Sequence, residues 1–230
     1  MKYLLIVSLL LIGCAQGKDG AAAGSSPSGP TAELYIFGDD ISAGTGATVT
    51  YGSLLQTRSG LTLRNYAYAG AGGATATLNN SVNVYAGAAA WSLNHFDTNM
   101  GPEDTVIIFV GYTDARWYGG ALPVNHLEDF LVPILNKVKA SGAKLYVVGT
   151  IAMPLASYAM YAPLNNGSDV AMTTVNNAIS AKVTALAYAR ATFVNALTQF
   201  NAVAGNFGGS YPNNAGHVEL SNIISTAMGI

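Results

Sequence analysis

The chain has 230 residues, one cysteine, 10% charged residues and a formal net charge of -2. That length suits a single domain burying around 70% of its surface on folding, and the near-neutral charge offers no basic stripe to neutralise phosphates, which argues against nucleic acid as a partner. With a single cysteine there is no internal disulfide, so the core alone must hold the fold.

Lys2 and the apolar stretch Tyr3 to Ile12 form the n-region and h-region of a secretory signal. The stretch is too short to span a bilayer, which needs about 20 apolar residues. Leu11-Ile12-Gly13-Cys14 resembles the lipobox of bacterial lipoproteins. The resemblance implies a signal peptide over residues 1–13 and a lipid-modified Cys14. An ordinary signal peptide with an incidental cysteine is the alternative. Residues 14–31, in which Gly17 to Thr31 is rich in Gly, Ala, Ser and Pro, read as a flexible tether. The folded domain is then 32–230, extracytoplasmic and membrane-bound through Cys14. By resemblance to enteric lipoproteins, Ala15 after Cys14 implies the outer membrane over the inner.

Apolar strand-like runs at Leu34–Phe37, Leu61–Tyr66, Thr105–Val110, Lys144–Gly149 and Thr192–Val194 alternate with helical segments. This is the pattern of a parallel sheet covered on both faces. The clearest helix is His126 to Ser141. Its apolar residues Leu127, Phe130, Leu131, Ile134, Leu135 and Val138 recur at helical spacing, and Gly142 follows its end. Further helices are predicted over Asp169 to Arg190 and Asn214 to Met228. The low-complexity stretch Ala69 to Ser81 reads as a mobile loop at the rim. Such sheets bind ligands beyond the carboxyl ends of their strands, so the loops after the first, second and third runs should share one crevice.

Four short blocks stand on those loops. They are Phe37-Gly38-Asp39-Asp40-Ile41-Ser42-Ala43-Gly44, Asn65-Tyr66-Ala67-Tyr68-Ala69-Gly70-Ala71, Gly111-Tyr112-Thr113-Asp114, and Tyr211-Pro212-Asn213-Asn214-Ala215-Gly216-His217. Their order and spacing resemble the blocks of the SGNH/GDSL hydrolases, over nearly the whole domain. The resemblance implies a three-layer α/β/α sandwich, a flavodoxin-like SGNH-hydrolase fold with a central parallel five-stranded sheet. It also implies where catalysis would sit, and there the chain departs from the family. Asp40 stands for the nucleophilic serine, Tyr211 for the histidine base and Gly208 for the aspartate that orients it. Gly70 keeps the oxyanion glycine, while Thr113 replaces the oxyanion asparagine.

A displaced triad finds little material. The histidines are His95, His126 and His217, and no Asp-x-x-His occurs. His217 reads as a surface or helix-packing residue, and Ser42 lies two residues along the turn from Asp40, facing elsewhere. Asp40 as a nucleophile would need a base to cleave its ester, and none is evident. Tyr211 is a poor base because a free phenol has a pKa of about 10. Asp39, Asp40 and Asp114 could bring three carboxylates together as a site for a hard cation. The competing reading keeps Asp39 in a turn hydrogen bond and pairs Asp114 with Arg116, and it places no metal there. Trp117, Tyr118, Tyr158, Tyr161 and Tyr211 could stack on sugar rings. Ala71-Gly72-Gly73 lacks the rest of a dinucleotide fingerprint, and no cofactor is expected.

The sequence therefore predicts a lipid-anchored envelope protein with a degenerate hydrolase site, leaning away from catalysis and binding a neutral glycan or acyl ester. The alternative is an active esterase, lipase or carbohydrate acetylesterase with relocated catalytic residues. The oligomeric state is not readable from the sequence.

Overall fold

The architecture comes from a computed structural model, which describes residues 31–67, 100–118, 121–154 and 168–230. Cys14, the tether, Tyr68, Gly70, the stretch Ala69 to Ser81, His95, Tyr158 and Tyr161 lie outside these residues, as do the side chains of Trp117, Tyr118 and His126. Five strands form one parallel sheet: β1 (Glu33–Gly38), β2 (Thr62–Asn65), β3 (Thr105–Phe109), β4 (Lys144–Val148) and β5 (Ala191–Val194). Their order is β2-β1-β3-β4-β5, the flavodoxin-like order, whose switch point lies between β1 and β3.

The central strands fall on apolar runs because both faces of the sheet are covered there, whereas the edge strand β2 is largely exposed. Every residue of β3 is buried, as are Leu34 to Phe37 of β1. The helices are α1 (Asp40–Ala43), α2 (Tyr51–Ser59), α3 (Tyr112–Tyr118), α4 (Ala121–Ser141), α5 (Asp169–Ala185), α6 (Ala196–Gln199) and α7 (Asn214–Met228). Helix α4 packs on α5, and α2 packs on α7, giving the three-layer α/β/α arrangement. A short antiparallel hairpin, β6 (Phe207–Gly208) with β7 (Tyr211–Pro212), precedes α7.

Two helices differ from the sequence reading. Helix α4 begins at Ala121, before His126. Pro123 then lies in the first turn, where its missing N–H has no intrahelical partner to lose. Helix α5 ends at Ala185, short of Arg190, and Ala187 adopts φ 47°, which breaks the helical path before β5.

β1 approaches β3 closely where its chain turns into the crevice. A Cβ on Gly38 would lie 2.2 Å from Ser42 Oγ and 2.5 Å from the Phe109 carbonyl oxygen, so only glycine fits.

Candidate functional site

The turn after β1 is built by Asp39. Its backbone N–H donates to the Phe109 carbonyl at 3.3 Å, and its side chain caps α1 by accepting from the Ile41 N–H at 3.3 Å. The other carboxylate oxygen accepts the Thr113 N–H at 3.1 Å. One fully buried side chain thus joins the loops that follow β1 and β3. Burial, first, and the neighbouring Asp40 carboxylate, second, hold the Asp39 carboxyl well above the usual carboxylate range. Asp114, also buried, pushes the same way, while the N–H donors of Thr113 and Ile41 oppose the rise.

Asp40 is 5% exposed and faces the β3 loop. Its two oxygens accept hydrogen bonds from the hydroxyls of Thr113, at 3.0 Å, and Thr45, at 3.3 Å. Thr113, at the position of an oxyanion donor by resemblance, thereby has its hydroxyl turned onto a carboxylate of the protein itself.

Tyr211 reaches the same place from the other end of the chain. It sits on β7 directly opposite Gly208 of β6, and the Tyr112 hydroxyl fixes the hairpin by donating to the Ser210 carbonyl. The Arg116 guanidinium lies over the Tyr211 ring, its Cζ 4.7 Å from the ring centroid. Arg116 is among the largest fully buried side chains described. Tyr211 is pushed up to about 12, by burial first and the Asp40 carboxylate second, with the charge and hydrogen bonding of Arg116 opposing. At neutral pH the phenol is protonated and cannot accept a proton as a base. Gly208 offers no side chain to orient one. A Cβ there would meet nothing closer than 3.7 Å, so a side chain could begin at this position without a clash.

The structure thus brings Asp39, Asp40, Thr113, Asp114, Arg116, Gly208 and Tyr211 to the β1/β3 switch point. Among the described residues no group of three His, Cys, Asp or Glu is arranged to hold a metal ion.

Sequence reasoning missed three contacts. Thr45 as a partner of Asp40 carries no sequence signal, being one hydroxyl in a loop. Arg116 is legible as a counter-charge near Asp114 but not as the cation above Tyr211. His217 is fully buried. Its Nδ1 accepts the Tyr51 N–H at 3.1 Å and its ring stacks on Tyr51, with centroids 6.0 Å apart. Burial lowers it to about 4, so it is neutral with the proton on Nε2, an atom that has no hydrogen-bond partner among the described residues. The Tyr51 hydroxyl shares a 2.7 Å hydrogen bond with Ser42 Oγ. This ties up the serine nearest Asp40 behind the turn.

No protein-family model matches the chain, and no curated protein matches it in sequence. Solved structures do match. TesA superimposes with a TM-score of 0.58 at 22% identity, over 85% of this chain and 97% of that one. A lipase/acylhydrolase from Enterococcus faecalis gives 0.58 at 12% identity, over 86% of this chain and 95% of that one. A variant of Axe2, an acetyl-xylooligosaccharide esterase from Geobacillus, gives 0.59 at 14% identity, over 86% and 94%. The likeness establishes the SGNH-hydrolase fold, and at these identities a shared fold does not carry shared chemistry.

Proposed function

We propose that the chain is a catalytically inactive protein of the SGNH-hydrolase fold, held in the bacterial envelope by a lipid on Cys14 and acting as a binding module for a neutral glycan or acyl-ester ligand. The observation that carries this reading is the state of Asp40. A carboxylate occupies the nucleophile's place, both of its oxygens accept threonine hydroxyls, and the group across from it is a protonated phenol beneath a guanidinium. Ester hydrolysis needs a nucleophile, a base that accepts its proton and donors aimed at the developing oxyanion. Among the described residues, none of these roles has a side chain suited to it at the switch point. The ligand class follows from the low charge of the chain and from the carbohydrate and acyl esterases that share the fold.

The test is hydrolysis of short acyl esters and acetylated sugars by the natural protein and by the variant Asp40→Ser, Gly208→Asp, Tyr211→His. Loss of a working triad costs about 10⁶ in turnover, so the natural protein should stay near background. Since Gly208 has room for a side chain and faces residue 211 across the hairpin, the variant should gain measurable activity. Adding Arg116→Met should raise that gain, because a neighbouring guanidinium makes an imidazole a weaker base. Turnover by the natural protein that survives Asp40→Ala would sink the inactive reading. The anchor has its own test: Cys14→Ser should release the protein from membranes on fractionation.

A further inference from the structure

The charges of the folded domain are sorted between its two ends. In a parallel sheet all strands start at one end, and the register sets Leu34 beside Thr105 and Thr105 beside Lys144 there. Every lysine beyond residue 31 gathers at this end: Lys137 and Lys139 near the end of α4, Lys182 in the last turn of α5, and Lys144 at the start of β4. Arg190 joins them in the turn before β5. Lys139 Nζ donates to the Leu186 carbonyl at 2.7 Å and Arg190 donates to the carbonyls of Gly142 and Pro102, so both cations lie against the turns that precede the strands. Arg58, at the end of α2, and Arg64, on β2, also belong to this half. Among the described residues the acidic side chains here are Glu33, held by Arg64 at 2.8 Å, the exposed Glu103, and Asp104, which is buried and accepts the Glu33 and Gly101 N–H groups. At the crevice end stand Asp39, Asp40, Asp114 and Asp169, with Arg116 the one cation there among the described residues.

Cations at helix C-termini complement the helix dipole, which accounts for Lys139 and Lys182. It does not account for Lys144 on a strand, Arg190 in a turn, or Lys137, about half a turn further in. The chain also enters the domain at this end, through Thr31 and Ala32 into β1.

From this juxtaposition we propose that the basic end of the domain, centred on Lys137, Lys139, Lys144, Lys182 and Arg190, docks on an anionic phospholipid surface, with the crevice pointing away from the membrane. The proposal rests on the lipid-anchored reading for its setting, since Thr31 and Ala32 lead into β1 at the basic end. Basic residues near an anionic leaflet each strengthen binding by up to about fivefold, and the effect decays within a Debye length.

The experiment is co-sedimentation of the full chain with phosphatidylcholine vesicles, with and without about one-third phosphatidylglycerol. Lys2 and Lys18 add the same anionic preference to wild type and variant, so the difference between those two proteins reads the charged surface of the domain. The wild type should bind the anionic vesicles at least about tenfold better, and the advantage should vanish near 1 M salt, where the screening length is about 3 Å. Lys137→Gln with Lys139→Gln, Lys144→Gln and Lys182→Gln should cut the preference at least about tenfold. If that variant misfolds, Lys137→Gln with Lys144→Gln, both exposed, should still reduce it several-fold. Equal preference in wild type and a folded variant overturns the proposal, as does full competition by inorganic phosphate at fixed ionic strength, which would indicate a single-phosphate site. The anchor is judged separately by fractionation of Cys14→Ser, so loss of one idea leaves the other standing.

Discussion

Arg116 lies over the aromatic face of Tyr211, 4.7 Å from its centroid, although 95 positions separate the two residues in the chain. Stacking of this kind, desolvated, contributes about 0.5–2 kcal/mol. A double-mutant cycle with Arg116→Met and Tyr211→Leu, read by denaturant unfolding, should give a coupling energy of about 1 kcal/mol. Additivity within about 0.3 kcal/mol would mean that the stacking contributes nothing.

The Tyr211 phenol, pushed up to about 12 by burial and by Asp40, gives a second readout of the site. Asp40→Asn removes the carboxylate that helps keep the phenol protonated, so Tyr211 should ionise at lower pH in that variant. Ultraviolet alkaline titration, differenced against Tyr211→Phe in each background, isolates this one tyrosine. An unchanged midpoint would place Asp40 and Tyr211 out of electrostatic contact.

His217 should make the fold acid-sensitive. Its folded value is about 4 against an ordinary 6.5, so between those values the unfolded chain binds a proton that the folded chain does not. Stability is complete above about 6.5 and falls as pH drops toward 4, by up to about 3 kcal/mol. Asp39 acts in the opposite sense. Its carboxyl is held above the usual range, so its protonation on acidification stabilises the folded state. Comparing wild type with His217→Gln across this window separates the two. The variant should lose the His217 part of the slope and, at neutral pH, be modestly less stable.

Two glycine substitutions should differ sharply. Gly60→Ala places a methyl in open space at φ 71°, costing about 1–2 kcal/mol. Gly38→Ala drives a Cβ onto Ser42 Oγ and the Phe109 carbonyl, and the carbonyl belongs to a buried strand that cannot yield. Its cost should exceed the usual 1–3 kcal/mol of overpacking. Thermal melts check both, and comparable shifts would mean that β1 and β3 can separate at the crevice.

Where an element declares itself locally, the sequence is sufficient. Strands buried on both faces must be apolar runs, so Leu34–Phe37 and Thr105–Val110 mark β1 and β3 to within a residue. Asn214 to Met228 is readable as α7 because Gly229 ends it. The positions of Asp40, Thr113 and Tyr211 are legible through the spacing of the short blocks, which fixes the loops but not what their side chains touch. The start of α4 is hidden by Pro123, which reads as a breaker yet is harmless in a first turn. The burial of His217 is hidden for another reason. Its one described hydrogen bond is to a backbone N–H, that of Tyr51, and every residue but proline has one.

The long-range bonds to α7 set a timetable for the chain as it is made. Thr48 and Val49 donate their N–H groups to Asn214, Tyr51 donates its own to His217, and the partners are 165 or 166 residues apart. Arg58 at the end of α2 reaches Ser225 and Asn222 in the same helix. The segment joining β1 to β2 therefore waits for residues 214–225 before its anchors exist. Contacts this distant in sequence slow folding. Until residues 214–225 are present, the early part of the domain has these polar groups unsatisfied. A protein cut before residue 214 should be degraded rather than accumulate as a shorter folded form.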